Sequence, residues 1–221
     1  MEIKPEDLRP LRESTNMMEQ LSPHSSTEAL WEGKFLEDIP VQELLDKITD
    51  LRNMFNLRKF ADTLDPTPNM KVKSALALAG GIGTELFMIK PERAVLVEMN
   101  QKLIDKAILF AQDQKFSLET LFYNITKLPL PFKDKEFDLV IINSAIEHIP
   151  NIYDLVDEMK RIGHNFFIGA IPIGDPPRDH LHVWKWKDRN DVKEFVTRIN
   201  GLMLGSYWAH YDVLWRESYG T

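Results

Sequence analysis

The stretch Leu76-Ala-Leu-Ala-Gly-Gly-Ile-Gly-Thr-Glu85, followed by Ala94-Val-Leu-Val-Glu98, decides how this chain folds. Each part holds an apolar run short enough to be a buried strand; the first ends in a glycine-rich turn and the second in a carboxylate. Two such runs in series predict neighbouring strands of a parallel sheet, with the glycines and the acid delivered to one edge. Glycine lets the backbone approach a ligand there with no Cβ in the way. A carboxylate after the second strand can accept hydrogen bonds from both hydroxyls of a ribose. The pairing points to an enzyme that holds a nucleoside-bearing cofactor.

Outward from this pair, strands and helices alternate. Strands are predicted over 72–79, 93–98, 117–123, 136–143 and 165–171, and helices over 83–89, 100–114, 153–162 and 188–199, with Asn100 as a helix cap. Segment 136–143 is nearly all apolar, which places it centrally and covered on both faces. Segments 202–208 and 211–217 are joined by so little chain that they must run antiparallel. The expected fold is therefore α/β: a doubly wound, mostly parallel, seven-stranded Rossmann-like sheet with a C-terminal antiparallel hairpin. Ahead of it, residues 1–68 are expected to form an N-terminal arm and helical extension on the substrate side, and 69–221 the cofactor-binding domain. Apolar residues from Leu44 to Leu57 recur at helical spacing, and Asp65-Pro-Thr-Pro-Asn69 then breaks the chain.

Composition narrows the function. A formal charge of −7 argues against a nucleic-acid partner, because phosphate binding wants a basic face. The chain has no Cys, so disulfides and thiolate metal sites are excluded. No apolar run reaches the roughly 18 residues that span a bilayer, and no secretory signal is visible, so a cytoplasmic protein without a membrane partner is expected.

Four blocks in order make the chain resemble the class I S-adenosylmethionine-dependent methyltransferases, and within them the small-molecule, methyltransferase type 11-like group. They are Leu76-Ala-Leu-Ala-Gly-Gly-Ile-Gly83, Leu96-Val-Glu-Met-Asn100, Tyr123-Asn-Ile-Thr-Lys-Leu-Pro-Leu-Pro-Phe132 and Phe137-Asp-Leu-Val-Ile-Ile-Asn-Ser-Ala-Ile-Glu-His-Ile-Pro150. The resemblance implies S-adenosylmethionine as cofactor. It places Ala79, Gly80, Gly81 and Gly83 along the cofactor's amino-acid end, Glu98 on the ribose and Met99 against the adenine face. Asn124 is expected at the adenine amino group and Ile125 to offer its N–H to the ring. Asn143 is expected to face the methionyl part or the substrate. The chain departs from the family at Ala77, where an acid is usual, and at Ala79, where the first glycine is usual.

Methyl transfer from a sulfonium needs in-line alignment and exclusion of water more than covalent help. An oxygen nucleophile also needs its proton removed. The candidate bases are His148, just past the fourth strand, and His180 and His182 in Asp179-His-Leu-His-Val-Trp184. The bland alternative is that Glu147 and His148 brace the next helix and that Trp184 and Trp186 merely pack. His180 and His182 with Asp175 or Asp179 could instead hold a divalent metal, although no metal is expected. Tyr207, Trp208, Tyr211 and Trp215 could stack an acceptor or simply pack the hairpin. The expected activity is methylation of a small acceptor, with oxygen favoured and a sugar or other polyhydroxylated metabolite as the first guess, by a monomer or homodimer. The rivals are a protein or RNA methyltransferase, a non-catalytic scaffold on the same fold and a nicotinamide-dependent enzyme.

Overall fold

A computed structural model of the chain describes Leu57 and residues 72–174, 182–205 and 210–217. In chain order the elements are β1 (Ser74–Leu78), α1 (Thr84–Ile89), β2 (Arg93–Glu98), α2 (Gln101–Asp113), β3 (Leu118–Phe122) and β4 (Leu139–Asn143). A single 3₁₀ turn at Ile146–His148 follows, then α3 (Ile152–Ile162), β5 (Asn165–Pro172), α4 (Arg189–Arg198), β6 (Leu202–Gly205) and β7 (His210–Arg216). None of the described helices is long and apolar enough to cross a membrane.

The sheet has seven strands in the order β3-β2-β1-β4-β5-β7-β6. All pairings are parallel except those made by β7 with β5 and β6. The chain winds outward from β1 to β3, then returns to lay β4 on the other side of β1. That reversal opens a crevice between the carboxyl ends of β1 and β4, the place where doubly wound sheets bind ligands.

Alternation along the central strands divides the core into two layers. Leu76, Leu78, Val95, Val97, Val140, Ile142, Phe166 and Ile168 face α3 and α4, meeting Leu155, Met159, Val192 and Phe195. Ala75, Ala77, Ala94, Leu96, Leu139, Ile141 and Phe167 face α1 and α2, meeting Leu86, Leu103 and Ala107. Leu57, from the segment ahead of β1, is helical and buried in this second layer. The other residues of the expected N-terminal arm lie outside the described part.

Caps and turns account for where elements start. Asn100 accepts from the N–H groups of Lys102 and Leu103 at the start of α2, and Asp188 does the same for Asn190 and Asp191 at α4. The fourth strand begins at Leu139, later than the apolar run suggests. Asp138 is diverted to accept the N–H groups of Lys73 and Ser74, both at 2.9 Å, and Phe137 makes only an isolated bridge to Gly163. Near its carboxyl end β5 shifts register between Ile168 and Ile171. Ala170 has φ +56° there, and its N–H is satisfied at 2.9 Å by the buried carboxylate of Asp212 on β7.

Candidate functional site

The glycine turn is held by the acid of the next strand. After β1 the backbone is left-handed at Ala79 (φ +47°), Gly81 (φ +57°) and Gly83 (φ +78°), and the Gly83 N–H closes the turn on the Gly80 carbonyl at 2.7 Å. Left-handed backbone costs an L-residue about 1–2 kcal/mol, so Ala79 carries strain. A Cβ on Gly80 would come within 2.7 Å of Leu96 and 2.9 Å of Ala77. The small residue at Ala77 therefore lies directly under the turn. At Gly81 a Cβ would meet nothing within 4 Å; that face of the turn is an open cradle.

Glu98 points inward at the tip of β2 and is 7% exposed. Its Oε2 accepts the Gly81 N–H at 2.9 Å, and its Oε1 accepts those of Met99 at 2.8 Å and Asn100 at 3.1 Å. Burial raises its pKa and the three amides oppose the rise. Those bonds leave Oε2 room for a further donor. With Ala77 unable to anchor the loop, Glu98 does so from the neighbouring strand.

The first turn of α1 carries a second buried acid, Glu85, which meets the tip of β4. Asn143 donates its amide to Glu85 at 2.9 Å, and the Thr84 hydroxyl donates to the other Glu85 oxygen at 3.2 Å. Burial raises the Glu85 pKa against these bonds. A Cβ on Gly169 would collide with the Asn143 side chain, so glycine on β5 is what allows Asn143 to lie across the strand tips. The only advance signal for Glu85 was a carboxylate in the first turn of a helix after a glycine loop, which reads equally well as an ordinary helix-dipole acid.

The expected adenine loop leaves β3 beside Glu98, with the Tyr123 N–H on the Glu98 carbonyl at 3.0 Å. Asn124 Oδ1 accepts both the N–H and the hydroxyl of Thr126, at 2.9 and 2.8 Å. It shapes its own loop, so meeting an adenine amino group through Oδ1 requires the Thr126 hydroxyl to turn away. Ile125 is buried, and Asn151 ties the loop to the start of α3 through the Thr126 carbonyl at 3.2 Å.

Past β4, the 3₁₀ turn presents Glu147 and His148, whose side chains are 7% and 11% exposed with Glu147 Oε1 3.6 Å from His148 Nε2. The segment after β5 folds back over them: Val183 and Trp184 donate to the Glu147 carbonyl at 3.0 and 2.9 Å. That docking brings His182 onto His148, ring centroids 4.8 Å apart at 74°. One ligand-capable atom from each of Glu147, His148 and His182 lies within 4.8 Å of the others. Glu147 Oε2 is buried with no hydrogen-bond partner, and burial pushes the carboxyl pKa up to about 7.

The two sequence candidates His148 and His182 are thus brought together, with the Glu147 carboxylate beside them. His180, Asp175 and Asp179 lie outside the described residues, as do Tyr207 and Trp208. Trp184 and Trp186 pack on the α3 and α4 side: the Trp184 indole donates to the Ile149 carbonyl at 2.7 Å, and Trp186 meets Phe195. Trp215 stacks on Phe166 near the start of β5, at the end of the sheet away from the glycine turn, which removes it as an acceptor platform.

Residues 76–165 match a family model described as a methyltransferase domain. No curated protein matches the chain. Among solved structures, a SAM-dependent methyltransferase from Aquifex aeolicus superposes with a TM-score of 0.52 at 14% identity, covering 77% of this chain and 96% of that one. The magnesium protoporphyrin IX methyltransferase from Synechocystis PCC 6803 with bound SAM gives 0.57 at 11% identity, covering 86% and 95%. A possible histamine N-methyltransferase from Thermotoga maritima gives 0.59 at 11% identity, covering 87% and 100%. At these identities the likeness is one of fold.

Proposed function

From the match of residues 76–165 to a methyltransferase domain, we propose that the chain is a class I S-adenosylmethionine-dependent methyltransferase of a small acceptor, acting at oxygen in preference to nitrogen. The observation that carries the cofactor assignment is the bond from the Gly81 N–H to Glu98 across the tips of β1 and β2. It sets an open glycine cradle beside an inward acid, and the residues present fit the group. When bound, the sulfonium supplies an electrophilic methyl on a good leaving group.

The remaining work belongs to the chain. Ala79, Gly80, Gly81 and Gly83 form the floor for the amino-acid end, and the remaining lone pair of Glu98 Oε2 accepts from a ribose hydroxyl. Met99 and the Ile125 N–H bound the adenine, with Asn124 holding the loop in shape. Asn143, which donates to Glu85 at the tip of β4, is assigned to the methionyl part or the acceptor. An imidazole, that of His148 or His182, takes up the proton of the acceptor hydroxyl on a ring nitrogen. A sugar or other polyhydroxylated metabolite fits a site with several hydrogen-bonding side chains on one edge.

Calorimetry with S-adenosylmethionine tests the first half of this reading. Saturable binding that weakens in Glu98→Ala is expected, and no binding at millimolar ligand would sink it. Release of demethylated cofactor in the presence of polyhydroxylated acceptors tests the second half.

A further inference from the structure

We propose that Glu147, His148 and His182 form a binding site for a divalent transition-metal ion of the zinc type. Two imidazoles and a carboxylate are a donor set such ions favour, and three protein ligands leave a position open for water or substrate. Glu147 Oε1 and His148 Nε2 are 3.6 Å apart, close to the roughly 3.4 Å between ligand atoms around a tetrahedral zinc. The third ligand atom lies within 4.8 Å of both, so side-chain rotation alone can close the set.

The buried Glu147 Oε2 gives an independent reason. Buried polar atoms are almost always satisfied, and one that is not points to an ion or water that belongs there. A proton shared directly between Glu147 and His148 does not account for the cluster, because 3.6 Å exceeds hydrogen-bond reach. The two halves of the site are also held by backbone: the Val183 and Trp184 N–H groups dock on the Glu147 carbonyl and fix His182 opposite His148. This is a different ligand set from the His180, His182 and aspartate grouping suggested by the chain order.

The use of the ion rests on the methyl-transfer reading, since a metal held by these residues would replace their role as base by acidifying an acceptor hydroxyl bound to it, whose proton would pass to solvent; the binding itself does not. The test is titration of the chelator-treated full chain with Co²⁺, followed by Zn²⁺. One equivalent of Co²⁺ should bind with the visible spectrum of a four-coordinate centre, and Zn²⁺ should displace it. Glu147→Gln and His182→Ala should weaken Zn²⁺ binding by at least about tenfold, while His164→Ala, whose imidazole pairs with Glu217 at 2.7 Å, should leave it unchanged.

In the unsubstituted protein Zn²⁺ should shift the imidazole resonances of His148 and His182 and not that of His164. This readout stands even if a variant fails to fold. Absence of one-equivalent binding, equal affinity in the folded cluster variants, or shifts confined to other histidines would each overturn the site. Calorimetry with S-adenosylmethionine on the same samples separates that failure from failure of the methyl-transfer reading.

Discussion

At the amino-terminal end of the sheet, acids meet arginines at close range; at the carboxyl end, buried acids meet amide and hydroxyl donors or, at Glu147 Oε2, none. Arg93 bonds Glu119 and Glu136, each at 2.9 Å, and Arg161 grips Glu158 at 2.6 and 2.8 Å. The Arg161 guanidinium holds the Glu158 pKa below the usual carboxylate range. For Glu136 burial alone would raise the pKa, but the Lys133 N–H and Arg93 outweigh it and lower it. Across the sheet, burial raises the pKa values of Glu85, Glu98 and Glu147, and Glu147 Oε2 has no partner. One end is arranged for stability. The other gathers buried acids with raised pKa values, the kind of group that functional sites collect.

The sharpest way to break this contrast is at the histidines. His148→Ala and His182→Ala should each reduce turnover by about 10²–10⁴-fold while leaving S-adenosylmethionine affinity nearly unchanged; wild-type rates in both would reduce the cluster to a brace. Next, Glu98→Ala should weaken cofactor binding by about 1–3 kcal/mol through lost charged hydrogen bonds. Arg93→Ala, at the opposite end, should leave that affinity alone and cost at most about 1 kcal/mol of stability, its ion pairs being partly exposed.

The two ends should also answer pH with opposite sign. Glu136 and Glu158 have lowered pKa values in the fold, so their contribution is complete above the ordinary carboxylate range and is lost as pH falls through the lowered values. Glu85 and Glu98 have raised values, so their contribution is complete below that range and is lost as pH rises through the raised values. Glu85→Gln should therefore raise the urea midpoint of the ligand-free chain at pH 7, and the gain should shrink towards pH 4. A gain independent of pH would contradict burial as the cause. The smallest effect belongs to Ala79→Gly, which should relieve left-handed strain for a gain of about 1 kcal/mol at most in urea unfolding, less the entropy that glycine loses on folding.

Much of the architecture was legible because its signals are local. The expected strand over 93–98 is β2 residue for residue, and Asn100 caps the helix where expected. The approach of Glu98 to the glycine turn follows from two adjacent parallel strands ending at one edge, so it too could be read from order alone. The pairing of Asn143 with Glu85 could not, since it depends on β4 returning to the far side of β1. Nor could the meeting of His148 with His182, which the docking of the 182–184 segment on Glu147 creates.

Residue order by itself determined the alternation of strand and helix, the glycine turn and the acid beside it, because strand period, helix caps and turn chemistry act over a few neighbouring residues. Only the tertiary structure decided that Glu147 would stand buried beside two imidazoles and that Glu85 would hold Asn143. Those outcomes depend on crossovers and loop docking, which bring together groups that sequence distance keeps apart.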